Sequence, residues 1–210
     1  MFSFFLLTGI LIISLFFFLL GYNRAKNLIN LNQKNLHSLT HYYGIFCSLS
    51  ALLPTLGVFF IFTICDDLVF AELVKEYIPN EVINSKDYNF TIVLAQINNS
   101  VEGLIFGTPP QWVTNAAEIW KSWVIKSNIL TMIVCAITIL TSGFLSYKKI
   151  HSEFRSRNAV EKIVITILAV SSVIAILTTI AIIFSVVFES IRFFALIPYD
   201  EFLFGTVWNP

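Results

Sequence analysis

His37 and His41 stand four residues apart, the HxxxH spacing that places two imidazoles on one face of a helix, where they could share a metal ion. Membrane di-iron enzymes use several such boxes, whereas this chain holds three histidines in all, the third being the isolated His151. The pair therefore reads as solvated side chains beside an apolar run. Asp66 and Asp67 are adjacent carboxylates and could in principle serve as an acid and a base. Their place just after a long apolar stretch makes them a solvated stop signal instead. Cys47, Cys65 and Cys135 are odd in number, lie in or at the end of apolar runs, and show no CxxC spacing. They read as buried thiols acting as small hydrophobes. No glycine-rich phosphate loop, nucleophile elbow or HExxH motif occurs. The expectation is a chain with no catalytic residue, no metal site and no cofactor, and not an enzyme.

The elements that would carry these side chains are mostly apolar. The 210 residues are 57% hydrophobic and only 12% charged, against about 25% charged for a soluble domain. Four runs are long enough for the ~20 residues that cross a bilayer. Residues 2–21 have Phe, Leu or Ile at 15 of 20 places. No Lys or Arg precedes that run and no small-x-small site follows it, so an uncleaved anchor fits better than a signal peptide. Residues 43–65 form a second span with Pro54 near its middle, where a kink is expected. Residues 129–147 and 163–188 are the third and fourth. None of the four has an Asp, Glu, Lys, Arg or His in its interior, unlike proton relays, voltage sensors and ion-coupled carriers. The fold class is all-α: a polytopic membrane protein with four transmembrane helices.

Net charge is zero, so position carries the electrostatic information. Linker 22–42 holds Arg24, Lys26 and Lys34 without an acid and counts +3, and linker 148–162 also counts +3. Residues 66–128 carry four basic and eight acidic side chains and count −4, and the residues from Glu189 onward count −2. Positive charge flanking spans stays in the cytoplasm. Both basic linkers are therefore expected there, with the N-terminus, the 66–128 loop and the C-terminal residues outside. No basic face or nucleic-acid motif is present, so no nucleic-acid partner is expected. The lipid bilayer is.

Within 66–128, "FAELVKEYIP" has apolar residues at helical spacing (Phe70, Leu73, Val74, Ile78) and stops at Pro79, as a short amphipathic helix would. "AAEIWKSWVIKSN" reads as another short helix leading into the third span. Trp112, Trp120 and Trp123 are expected at the membrane interface, and the whole loop as a partly helical cap without a ligand. Asn89-Phe90-Thr91 and Asn98-Asn99-Ser100 match the glycosylation sequon, but chance accounts for both in an Asn-rich chain.

Residues 189–210, "ESIRFFALIPYDEFLFGTVWNP", resemble the segment after the first core helix in permease subunits of bacterial phosphate ABC transporters, the PstC type. The matching positions are Glu189, Ser190, Arg192, Phe193, Phe194, Phe202 through Thr206, Trp208, Asn209 and Pro210. Extended members of that family, notably among alphaproteobacteria, are similar over the rest of the chain too, including the "HYYGIF" approach to the Pro-bearing second helix. The resemblance implies three parts. Residues 1–128 would be an N-terminal extension with a periplasmic loop, 129–188 two spans joined by a cytoplasmic linker, and 189–210 a periplasmic segment leading into the permease core. The core helices and the "EAA" loop that docks on the ATPase do not occur among these residues.

By resemblance the function is therefore that of the N-terminal membrane-spanning portion of the permease of an ATP-driven inorganic phosphate importer, in a bacterial inner membrane. Its implied partners are a second permease subunit, an ATP-binding subunit that hydrolyses ATP, and a periplasmic phosphate-binding protein. Residues that contact phosphate are not identified. The alternative is a standalone four-helix inner-membrane protein that assembles with or regulates a membrane complex.

Overall fold

The apolar runs fold into helices longer than the runs themselves. A computed structural model describes residues 2–32, 37–84, 89–104, 107–197, 202, 204 and 205. Helix α1 covers Phe2–Asn32, α2 Thr40–Leu73, α3 Asn80–Ile83, α4 Phe90–Glu102, α5 Gln111–Lys148 and α6 Ser156–Leu196, with a 3₁₀ turn at Val74–Tyr77 after α2. Every described element is helical. Helices α1, α2, α5 and α6 are each long and apolar enough to cross a membrane. In hydrocarbon each unpaired backbone group costs several kcal/mol, so an apolar run of this length closes its hydrogen bonds internally as a helix.

Two of these helices differ from the sequence expectation in where they stop. No Gly or Pro lies between Gln111 and Gly143, so the expected short helix at 116–128 and the span at 129–147 fuse into α5. Likewise α2 continues past Asp66 and Asp67 to Leu73, tightens into the 3₁₀ turn and ends before Pro79. The stretch expected as a separate amphipathic helix is thus the last turn of α2 plus that turn. Its inward positions are nonetheless Phe70, Val74 and Ile78, all buried, whereas Leu73 of the expected apolar face is exposed. Helix α2 is unbroken through Pro54, and Thr55 Oγ1 donates to the Ala51 carbonyl at 2.8 Å one turn back.

Two units divide the chain at residues 157 and 158. In the first, α1, α2 and α5 pack as a three-helix bundle. Gly21 of α1 lies against Tyr43 and Cys47 near the start of α2, so these helices run antiparallel. Arg24 of α1 reaches Ile150 and Tyr147 at the far end of α5, so α1 and α5 run parallel. That arrangement brings residues 24, 43 and 147–157 to one end, which we call the basic end. Residues 66–128 gather at the opposite end, the cap. The second unit consists of α6 from Asn158 onward and the residues after it. Every described side chain from Val164 to Ile197 is exposed.

Candidate functional site

The bundle is built where small residues let helices approach. At Gly44 of α2 an added Cβ would lie 2.8 Å from the Phe18 ring of α1, and at Gly143 of α5 it would collide with Phe17. At Gly21 it would meet the Tyr43 carbonyl at 2.8 Å and Cys47 Sγ at 3.0 Å. Lipid tails are as apolar as the helices, so close packing of this kind, rather than the hydrophobic effect, holds transmembrane helices together. One polar contact adds to it: the hydroxyls of Ser14 and Ser48 lie 2.8 Å apart between α1 and α2. Other hydroxyls in the spans close back on their own helix. Thr63 donates to the Phe59 carbonyl, Thr138 to Val134, Ser146 to Ser142 and Thr179 to Ala175, at 2.8–2.9 Å. These bonds make Ser and Thr tolerable in lipid without any functional role.

At the basic end polar groups tie the helix termini together. Arg24 Nε donates to the Ile150 carbonyl at 3.2 Å while its guanidinium sits 4.3 Å over the Tyr147 ring. Tyr43, fully buried, donates from its hydroxyl to the Phe154 carbonyl at 2.8 Å. The backbone N–H of Arg157 donates to Ser38 Oγ at 3.3 Å. The Phe154 ring packs tilted against Phe46, with centroids 4.9 Å apart. His41, exposed in the first turn of α2, meets the edge of Phe18 at 5.2 Å. His37 and His151 are exposed as well. Among the described residues no group of three or more His, Cys, Asp or Glu comes together.

The cap has its own core. Phe70, Val74 and Ile78 pack with Val93 and Ile97 of α4 and with Val113, Ala116, Ala117 and Trp120 of α5. Phe70 lies 5.8 Å from Trp120 and 5.9 Å from Trp123, and Tyr77 lies 5.8 Å from Trp123. Trp120 is therefore 7% exposed inside this core rather than lying free at a bilayer surface. Trp112 and Trp123 flank it. Asp66 is half-buried and accepts a hydrogen bond from Ser127 Oγ across α2 and α5, while Asp67 is exposed. The two carboxylates thus differ: the first ties α2 to α5, and only the second fits the expected solvated stop signal.

Helix α4 is an element the sequence expectation did not include. Asn89 Oδ1 accepts from the Thr91 N–H at 3.0 Å and caps its start. Gly103 ends it in the left-handed region at φ 81°. Its buried positions Val93 and Ile97 are four apart. The signal was there in the sequence as an Asn-x-Thr cap, an i, i+4 apolar pair and a terminal Gly. The Asn89 sequon has this structural use. A shallow cleft of about 290 Å³ opens between α4 and the start of α5, lined by Gln96, Asn99, Ser100, Thr108 and Pro110. Among the described residues no charged side chain lines it.

Cys47 and Cys135 are buried in the bundle, as expected. Cys65 is exposed, contrary to expectation. It points outward from α2 at the turn before Asp66, where the bundle helices do not cover it.

In the second unit, α6 continues without a break through "ESIRFF" to Leu196. The Phe202 ring lies 5.1 Å from Phe193 and 5.8 Å from Phe194. An open cleft of about 490 Å³ is lined there by Glu189, Ser190, Phe193, Phe194 and Phe202. These are residues that carry the resemblance described above. Of the remaining positions in that motif, Leu203, Thr206, Trp208, Asn209 and Pro210 lie outside the described residues.

Residues 7–178, well over half of the chain, match the model of a family described as "Phosphate ATP-binding cassette transporter". No curated protein and no solved structure matches the chain.

Proposed function

The chain belongs to the phosphate ATP-binding cassette transporter family, and from that membership we propose that it forms the N-terminal membrane-spanning portion of the permease subunit of an ATP-driven inorganic phosphate importer. The observation that carries this reading is the family match over residues 7–178, which runs through all three bundle helices, the cap and most of α6. In this role the bundle is a scaffold. ATP hydrolysis resides in a separate ATP-binding subunit. A second permease subunit and a periplasmic phosphate-binding protein complete the assembly.

The membrane is the bacterial inner membrane, with linkers 22–42 and 148–162 in the cytoplasm and residues 66–128 in the periplasm. Positive charge supports this orientation, and the bundle geometry agrees with it, because both basic linkers meet at one end. Two measurements test the reading. Affinity purification of the native protein from its own membranes is expected to bring down the ATP-binding subunit and the second permease subunit. Recovery free of either one under mild detergent would refute it. Sidedness follows from single cysteines in a background with Cys47, Cys65 and Cys135 replaced by Ala. A membrane-impermeant maleimide applied to cells with a permeabilised outer membrane should label Gln96→Cys and leave His151→Cys unlabelled. The reverse pattern would overturn the orientation.

A further inference from the structure

Arg24, near the end of α1, is a half-buried cation without a counter-ion. Among the described residues no carboxylate pairs with it, and linker 22–42 holds no acid that could. Its two contacts are neutral ones. Nε donates to the Ile150 carbonyl at 3.2 Å, and the guanidinium lies 4.3 Å over the Tyr147 ring. A guanidinium carries five N–H donors, so the four of its terminal fork have no acceptor among the described residues. Lys148 is a second cation beside it. Its ammonium turns back one helical turn to lie 4.6 Å over the Phe144 ring. Phe144 precedes Tyr147 and Lys148 by three and four residues, so all three share one stretch of the α5 surface. We propose that Arg24 and Lys148 together bind the phosphate of an anionic phospholipid headgroup. The site requires α1 and α5 to span a bilayer and is independent of the chain's place in a transporter.

Charge balance calls for an anion here. Charges removed from water are ordinarily paired. The C-terminus of α5 offers roughly half an elementary charge, set against Arg24, Lys148 and Lys149 together. Glu153, the one acid between residues 148 and 157, is exposed and forms no ion pair among the described residues. Position makes the anion a lipid's. Arg24 follows the apolar run 2–21 by three residues and Lys148 follows 129–147 directly, which sets both at headgroup level. Phe144 and Leu145, one turn into the span, are 53% and 60% exposed, so the ring beneath the Lys148 ammonium faces lipid. A cation turned back toward the span at that depth meets phosphodiesters before it meets dissolved anions. Chemistry fits as well. The open guanidinium fork matches two phosphate oxygens at once, and the ammonium adds a point charge beside it. Basic pockets between spans recognise anionic headgroups in this way. Phosphatidylglycerol has no cation of its own, whereas phosphatidylethanolamine carries an ammonium that Arg24 and Lys148 repel.

The test titrates the full chain in mild detergent with phosphatidylglycerol and counts bound lipid by native mass spectrometry. Phosphatidylglycerol is expected to bind in preference to phosphatidylethanolamine, and millimolar inorganic phosphate should not displace it. Arg24→Gln removes a charge-assisted bond along with the charge and should weaken binding at least about tenfold. Lys148→Gln should weaken it about fivefold. Lys148 is exposed, so this variant keeps its fold and decides the matter even if Arg24→Gln aggregates. Lys26→Gln is the control. It removes the same charge from the same helix, but two residues on and so toward the other side of α1, and should leave the affinity unchanged. Wild-type affinity in both Arg24→Gln and Lys148→Gln would overturn the proposal. A loss in Lys26→Gln equal to theirs would also overturn it, by showing diffuse attraction in place of a site. Displacement by inorganic phosphate would assign the two cations to a dissolved anion and not to a lipid.

Discussion

Where α1, α2 and α5 cross, the residues in contact include Gly21, Gly44 and Gly143, with Ser14 and Ser48 sharing a hydrogen bond. In the cap, where α5 emerges past the bundle, contact passes instead through Phe70, Trp120, Trp123 and Tyr77. One helix, α5, takes part in both. The difference follows from the solvent each part meets. Burial of a large aromatic is strongly favoured when the alternative is water. Within a bilayer that driving force is absent, and close approach of backbones at small residues takes its place. A single continuous helix therefore carries two kinds of packing, and each fails to a different substitution.

The largest effect expected is at Trp120. Replacing this buried aromatic by Ala should cost the cap about 3–5 kcal/mol, read as a lower urea midpoint for the change in cap tryptophan fluorescence. The bundle's helicity should survive in the same sample. An equal loss of bundle helicity would erase the distinction between the two regions. Next in size is Gly143→Leu, which drives a side chain into Phe17. Overpacking of that kind costs about 1–3 kcal/mol, measured as the dodecyl sulfate fraction that separates the helices, with the cap's urea transition unmoved. Tyr43→Phe removes the bond to the Phe154 carbonyl at the basic end. It should cost about 1 kcal/mol in the same detergent titration. Ser14→Ala, deleting the contact with Ser48, should be the smallest at about 0.6 kcal/mol. A Ser14 effect larger than that of Gly143 would show that polar bonds, not close packing, hold the bundle.

Much of this architecture could be read from residue types because bilayers constrain so few things. Run length and charge sign suffice to find the four spans and to group linkers 22–42 and 148–162. The bundle geometry brings both basic linkers to one end without having used charge at all. What escaped was how the cap packs. Its core joins positions from α2, α4 and α5 that are far apart in sequence, so the amphipathic pattern of 70–79 showed an apolar face without its partner. Helix α4 hid behind a sequon, since Asn89 and Thr91 were read for covalent chemistry and not for capping. Asp66 and Asp67 looked equivalent, and only the arrival of Ser127 from 61 residues away separates them. The family was legible too, though by an uneven route. The motif that suggested it spans 189–210, while the match that shows the family covers 7–178, where the likeness was looser. Cys65 went wrong for a simple reason: an apolar neighbourhood in sequence does not say which side of a helix a thiol occupies.

Phosphate uptake by whole cells tests the central claim most directly. Cells in which the native gene carries an in-frame deletion of residues 1–157, compared with cells carrying the intact gene, should lose ATP-dependent uptake of radiolabelled inorganic phosphate from dilute solution. Restoring the intact gene should return it. Undiminished uptake in the deletion strain would contradict the assignment of these helices to a phosphate importer.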